Sequence, residues 1–130
     1  MVRPRNDNLT PLELEIMNIL WDEATANVQL VQSKLKRRSA YTTVQTILNI
    51  LERKGKVKRV LKNRTYFYSP AISRKKVIHQ IFGDIIDRVF GGSAESLVMS
   101  LVETKHLTPE KLEQLNIILK ESEEGRDDNY

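Results

Sequence analysis

The chain has 130 residues, of which 40% are apolar and 29% are charged, and it carries a net charge of +4. This length holds one ordinary domain, or a small domain with an assembly module, and no apolar run approaches the ~20 residues of a membrane helix. Because there is no cysteine, disulfides, thiolate zinc sites and cysteine nucleophiles are excluded, and a reducing cytoplasm is the expected location.

The first third of the chain predicts a polar arm and two helices. Residues 1–8 are polar and are expected to be flexible. Thr10-Pro11-Leu12-Glu13 has the pattern of a capping box with proline at the first helical position, so a helix is predicted from there to about Asp22. Asn27 can cap a second helix, at about 28–36, whose inner face carries Val28, Val31 and Leu35.

A third helix, predicted from about Tyr41 to Arg53, is the centre of the chain. Val44, Ile47, Leu48 and Leu51 follow the i, i+3, i+4, i+7 spacing of a buried helix stripe. The other side is polar and able to donate hydrogen bonds, through Thr42, Thr43, Gln45, Thr46, Asn49 and Arg53, with Glu52 as its one acid. This pattern favours a recognition helix that enters a groove of DNA.

Two short strands are predicted after Lys54-Gly55, at 57–61 and 65–68, joined by Lys62-Asn63-Arg64. Helix, helix, short turn, helix and hairpin form the winged variant of helix-turn-helix. Tyr66 and Tyr68 fall on one face of the hairpin. Aromatic residues on a basic hairpin could stack on bases, but closing the core of a small winged domain is the favoured interpretation.

Charge is concentrated on the same segment. Residues 34–64 contain 11 basic residues and 1 acidic residue, a net charge of +10, whereas residues 73–130 contain 8 basic and 11 acidic residues, a net charge of −3. A clustered positive patch is typical of a protein that binds a polyanion. The alternative is a solvated basic surface, which is usually interleaved with acids.

The last third predicts three helices, at about 74–90, after Ser93, and after Thr108-Pro109. Their apolar stripes are too wide for three short helices to bury by themselves, which favours a two-fold dimer over folding back on the winged domain. The predicted dimerisation residues are Ile81, Phe82, Ile85, Ile86, Val89, Phe90, Leu97, Leu101, Leu112, Leu115 and Leu119. The predicted domains are therefore 9–72 for DNA binding and 73–121 for dimerisation, with a disordered tail at 122–130.

Catalytic patterns do not occur. His79 and His106 have no metal-ligand spacing, and the phosphate-binding patterns GxxxxGK[ST] and GxGxxG are absent from the sequence. We therefore expect neither an enzyme, nor a bound metal, nor a cofactor.

Several blocks in the right order give the chain a clear resemblance over about residues 9–120. These blocks are LTPLELEIMNILW, YTTVQTILNILERKG, the wing's FxY followed by Pro70, FGGSAESLVMSLVE and LTPEKLEQL. They resemble the penicillinase repressors, the BlaI/MecI/CopY family of bacterial transcription regulators. The resemblance implies a cytoplasmic, dimeric repressor of resistance or stress genes, with a winged helix-turn-helix that reads a palindromic operator in double-stranded DNA. The family's threonines match Thr43 and Thr46, and its wing-tip arginine matches Arg64.

The sequence departs from the family pattern in three places. The family commonly has glycine before the wing-tip arginine, where this chain has Asn63, which also tolerates a left-handed turn. Antibiotic-responsive members are cut by a membrane sensor metalloprotease at an Asn-Phe bond, which corresponds here to Ser100–Leu101. Copper-responsive members end in a cysteine-rich motif that this chain lacks, which excludes that mode of sensing.

The resulting hypothesis is a dimeric, sequence-specific DNA-binding repressor. Thr42, Thr43, Thr46 and Asn49 are expected to face base edges. Phosphate contacts are expected from Lys34, Lys36, Arg37, Arg38, Arg53, Lys58, Arg59, Lys62 and Arg64. Two alternatives remain open: a winged-helix repressor released by a small ligand without proteolysis, and a helical protein-interaction module with a basic surface.

Overall fold

The computed structural model describes residues 8–127, which form helices and one two-stranded sheet. In chain order the elements are α1 (Pro11–Glu23), α2 (Val28–Lys34), α3 (Tyr41–Arg53), β1 (Val57–Lys62), β2 (Thr65–Pro70), α4 (Arg74–Arg88), α5 (Ala94–Glu103) and α6 (Pro109–Asp127). This order confirms the predicted fold class, mainly α with a small hairpin. Apart from Asn8, the predicted N-terminal arm lies outside the described residues.

The capping residues predicted for α1 and α2 begin these helices. The Thr10 hydroxyl accepts a hydrogen bond from the Glu13 amide at 3.1 Å, and the Glu13 carboxylate accepts one from the Thr10 amide at 2.9 Å. The Asn27 side chain accepts from the Leu30 amide at 2.8 Å. Because Leu35 turns to an extended conformation and is buried, α2 ends at Lys34, before its predicted end at Lys36.

The core of the N-terminal unit lies where α1, α2, α3 and the hairpin meet. On α3, the buried residues Val44, Leu48 and Leu51 all belong to one stripe, and Thr42, Thr43 and Thr46 on the opposite side are exposed. The apolar residues of this core are Ile16, Met17, Leu20, Ala26, Val28, Val31, Leu35, Val44, Leu48, Leu51, Val57 and Tyr68.

The hairpin is antiparallel, with Val57 opposite Pro70 and Lys62 opposite Thr65. Ala26, in the α1–α2 connection, pairs with Tyr68 on the other edge of β2. The two residues exchange backbone hydrogen bonds of 2.9 and 2.8 Å. This bridge fixes the base of the hairpin to the helical core.

The contacts divide the chain into two units between Ile81 and Phe82, inside α4, whereas the predicted boundary lay at the start of this helix. The first turns of α4 belong to the N-terminal unit because Val77 is buried there. Two contacts tie the same segment to α1. The Trp21 indole donates to the Ile72 carbonyl at 2.9 Å, and the Arg74 guanidinium lies 3.0 Å from the Asp22 carboxylate.

The second unit contains the rest of α4 with α5 and α6. Gly91 and Gly92 take positive φ angles of 57° and 86° and reverse the chain before α5. The Ser93 hydroxyl caps α5 by accepting from the Ser96 amide at 3.1 Å. α6 runs on to Asp127, past Ser122, where the disordered tail was predicted to start.

Candidate nucleic-acid interface

The threonines predicted to contact bases lie on the free side of α3. Thr42, Thr43 and Thr46 are all exposed, opposite the buried Val44 and Leu48. The Thr46 hydroxyl donates to the Thr42 carbonyl at 2.8 Å, which orients its oxygen lone pairs away from the helix. α3 therefore presents short, neutral side chains that a base edge can approach.

Asn49 differs from the other residues predicted to contact bases. It is half-buried, and its side-chain oxygen accepts a hydrogen bond of 3.1 Å from the hydroxyl of Tyr68, a residue that is 1% exposed. Asn49 therefore joins α3 to the hairpin. Its carboxamide N–H groups are what it can still offer to a ligand.

The tip of the hairpin is a two-residue turn. Asn63 and Arg64 have φ angles of 52° and 64°, and Lys62 pairs with Thr65 across the turn. Two consecutive left-handed residues in a two-residue loop form a type I′ turn, which matches the twist of a hairpin. Asn63 takes the conformation that was predicted for it. Arg64 takes the same conformation and is exposed at the end of the wing.

The cations predicted to contact phosphates are exposed, and they differ in their protein partners. Lys34 pairs with Glu23 at 3.5 Å. The Lys36 amide donates to the Glu15 carboxylate at 2.9 Å, which fixes the start of the α2–α3 connection. Arg59 lies 4.0 Å from the Glu52 carboxylate and 4.4 Å from the centre of the Tyr66 ring. The remaining cations that were predicted to contact phosphates, all exposed, are Arg37, Arg38, Arg53, Lys58, Lys62 and Arg64.

One ion pair, which the sequence did not predict, joins the end of α3 to α1. The Lys54 ammonium, at the end of α3, lies 2.9 Å from the buried carboxylate of Glu13. Burial raises the pKa of Glu13, but the Thr10 amide and hydroxyl and the Lys54 ammonium outweigh this effect and hold the pKa below its ordinary value. The capping box was visible in the sequence, but no local pattern reveals a partner far along the chain.

The side chains that were predicted to form a dimer lie in the second unit, apart from Ile81, which is the last residue of the first unit. No side chain described in residues 82–125 is buried. Val89 is 70% exposed, and Phe82, Leu115 and Leu119 are also exposed. Ile81, Ile85, Ile86, Phe90, Leu97, Leu101 and Leu112 are half-buried. The candidate cleavage bond, Ser100–Leu101, lies within α5 between two half-buried residues.

Within residues 8–127, no helix combines the length and the apolar character that a membrane span requires. The same residues also contain no group of three or more histidine, aspartate or glutamate side chains that could hold a metal ion.

Comparison with known proteins gives consistent matches over most of the chain. The sequence model of the family described as Penicillinase repressor matches residues 9–121. The Penicillinase repressor of Bacillus licheniformis is 28% identical over 115 residues, which cover 87% of this chain and 90% of that protein. The Methicillin resistance regulatory protein MecI of Staphylococcus aureus (strain N315) is 26% identical over 113 residues, which cover 85% of this chain and 92% of that protein.

Among solved structures, a mutant MarR from E. coli, crystallised with operator DNA, aligns with a TM-score of 0.52 at 17% sequence identity. The alignment covers 88% of this chain and 75% of that chain. At this identity the likeness concerns the fold alone, which is that of a winged-helix protein.

Proposed function

Because the chain belongs to the penicillinase repressor family of DNA-binding transcriptional repressors, we propose that it binds a palindromic operator as a homodimer. Proteins of this family are repressors and not enzymes, and the same holds for this chain. In the proposal, α3 enters the major groove and the wing contacts the neighbouring backbone. Since its target is the bacterial chromosome or a plasmid, the repressor works in the cytoplasm.

The observation that carries the proposal is the division of α3 into a buried apolar side and an exposed neutral side. Thr42, Thr43 and Thr46 are small enough to approach base edges, and their hydroxyls and methyl groups can read both hydrogen-bonding atoms and thymine methyl groups. Asn49 joins α3 to the wing through its side-chain oxygen, and its N–H groups can donate to a base or a phosphate. The exposed cations around this face supply the attraction to phosphates.

Dimerisation is proposed from the second unit. Exposed apolar side chains such as Val89, Phe82 and Leu119 would stay in water in a single chain, and burying each one gains about 1.5–3 kcal/mol. A second copy of the chain covers the same face on both partners in an isologous contact. Two linked recognition helices then match the two half-sites of a palindrome.

Release of the operator is proposed to follow cleavage of the Ser100–Leu101 bond by a membrane sensor metalloprotease. Cleavage there divides α5 and separates α6 from the rest of the second unit, which would weaken the dimer. Mass spectrometry of the repressor recovered from induced cells checks this: a fragment ending at Ser100 supports the mechanism. Intact repressor that loses DNA affinity only with a small molecule added supports the ligand-released alternative.

The operator is found by selecting bound duplexes from a random library with the purified full chain. Enrichment of two inverted copies of one half-site supports the proposal. Recovery of unrelated sequences contradicts sequence-specific binding and favours a helical interaction module with a basic surface.

A further inference from the structure

A polar cavity of about 260 Å³ lies between α2, α3 and the wing. Tyr41 and Gln45, one helical turn apart, line it from α3, Gln29 lines it from α2, and Arg64 and Tyr66 line it from the wing. None of the described residues around this cavity is acidic. We call this cavity the phosphodiester groove.

Its walls are held by contacts within the protein. The hydroxyl of Tyr68, which lines the cavity, donates a hydrogen bond of 3.1 Å to Asn49 of α3 and so joins the wing to this helix. The Arg59 guanidinium packs on the ring of Tyr66, with 4.4 Å to the ring centre. Arg59 also lies 4.0 Å from Glu52, the one acid of α3. The groove is therefore formed before any ligand arrives, and the nearest carboxylate of α3 already has a cation beside it.

The position of the groove identifies its ligand. Thr42 and Thr46 point outward from α3, whereas Tyr41 and Gln45 lie on the flank that faces the wing. A helix in the major groove and a wing at the adjacent minor groove lie on the two sides of a single sugar–phosphate strand, which must pass between them. The cavity is also smaller than the roughly 300–1,000 Å³ that pockets for drug-sized ligands occupy.

We propose that the phosphodiester groove holds one phosphodiester of the operator, an inference that rests on the proposed function. Gln29, Tyr41 and Gln45 donate neutral hydrogen bonds to its oxygens, and Arg64 supplies the positive charge. These three neutral residues were not among the predicted phosphate contacts, because that prediction was drawn from charge.

Neutral hydrogen-bond donors and cations differ in how their loss changes the salt dependence of DNA binding. A lysine or arginine that contacts a phosphate releases a counterion, so its loss lowers the slope of log K against log salt by about 0.9. A glutamine or tyrosine hydroxyl that contacts a phosphate adds affinity without a released ion. Because phosphates carry no sequence information, the loss of that affinity must be equal on every duplex.

The test compares wild type with Gln45→Ala, Tyr41→Phe and Gln29→Ala, using Gln80→Ala as the matched control outside the groove. Affinities for the selected operator and for a scrambled duplex are measured at several salt concentrations. We expect each groove variant to bind both duplexes about three- to tenfold more weakly with an unchanged salt slope, and Gln80→Ala to bind like wild type.

The phosphate itself is located with operators that carry one neutral methylphosphonate at successive positions. At one position the loss of affinity for wild type should be larger than for Gln45→Ala, since the variant no longer contacts that phosphate. Unchanged affinity in all three groove variants overturns the proposal, and a loss confined to the operator overturns it in favour of base reading. If the wild-type protein does not prefer the operator over the scrambled duplex, the proposed function itself is contradicted. This outcome is distinguishable because it does not depend on any groove variant.

Discussion

Lys54 and Glu13 form an ion pair of 2.9 Å between the end of α3 and the first turn of α1, across 41 positions of the chain. Glu13 also accepts the Thr10 amide that begins α1. The same carboxylate therefore caps one helix and fixes the position of another, the one we propose to read DNA. The Glu13 side chain is 5% exposed and the Lys54 side chain 29%, so water weakens this pair much less than a surface pair.

Glu13→Gln should lower the free energy of unfolding by about 1–3 kcal/mol, because the buried amide keeps the cap but leaves Lys54 without its counter-charge. The pH dependence should also change. The lowered pKa means that wild type has the full stabilisation above the ordinary value of 4.5 and loses it as the pH falls through the lowered pKa. Urea unfolding at a series of pH values should show a smaller acid-dependent loss in Glu13→Gln.

Glu23→Gln is the matched control, because Glu23 is another glutamate of α1 and pairs with Lys34 at 3.5 Å on the surface. Loss of this surface pair should lower the free energy of unfolding by no more than about 1 kcal/mol. Equal destabilisation by the two substitutions would contradict the special role of the Glu13–Lys54 pair.

Thr46→Ala should reduce discrimination between the operator and a scrambled duplex by about 1 kcal/mol or more, because it removes a hydroxyl and a methyl group that we propose to face the bases. Thr104→Ala is the matched control. The Thr104 hydroxyl donates to the Ser100 carbonyl at 2.7 Å, as that of Thr46 does to Thr42, but it lies in the second unit. Fluorescence anisotropy titrations measure both variants, and equal losses on the two duplexes would exclude base contact by Thr46.

Arg64→Gly should stabilise the fold while weakening DNA binding. Arg64 has a φ of 64° in the turn, a conformation that strains most side chains and suits glycine. The free energy of unfolding of Arg64→Gly should therefore be about 0.5–1 kcal/mol higher than that of wild type. The lost cation should lower the salt slope of binding by about 0.9 on any duplex. Thermal unfolding and salt-dependent titrations check the two parts, and an unchanged slope would argue against contact between the wing tip and phosphate.

Val89→Lys should convert the proposed dimer to a monomer, because it places a charge in the apolar surface of the second unit. Val60→Lys, on the wing, is the matched control, since Val60 is 62% exposed and Val89 is 70% exposed. Sedimentation at a series of protein concentrations distinguishes them. A wild type that is monomeric at all concentrations, or a Val89→Lys variant that remains dimeric, would contradict the proposed interface.

The features that the sequence predicted correctly are those written in local patterns. The capping box at Thr10 and the helical spacing of Val44, Leu48 and Leu51 each lie within a few residues, and the structure confirms both. The left-handed conformation of Asn63 is also local, since it depends on a turn of two residues.

What the sequence did not predict depends on distant contacts. Asn49 lies on the polar side of α3, but the position of Tyr68, 19 residues away, decides that its oxygen faces the wing. Arg59 belongs to a basic run and is still expected to contact phosphate, but its positions against Tyr66 and Glu52 were not predicted. Tyr68 fits the predicted core role of the wing aromatics, whereas Tyr66 is 40% exposed and lines the phosphodiester groove.

The most direct measurement is a titration of the purified wild-type protein onto the selected palindromic duplex and a scrambled duplex of the same length, at two salt concentrations. We predict saturation at two chains per palindrome, with a preference for the palindrome that persists at the higher salt. Weak binding to both duplexes that disappears as salt is raised would contradict sequence-specific repression and reduce the positive segment to a charged surface.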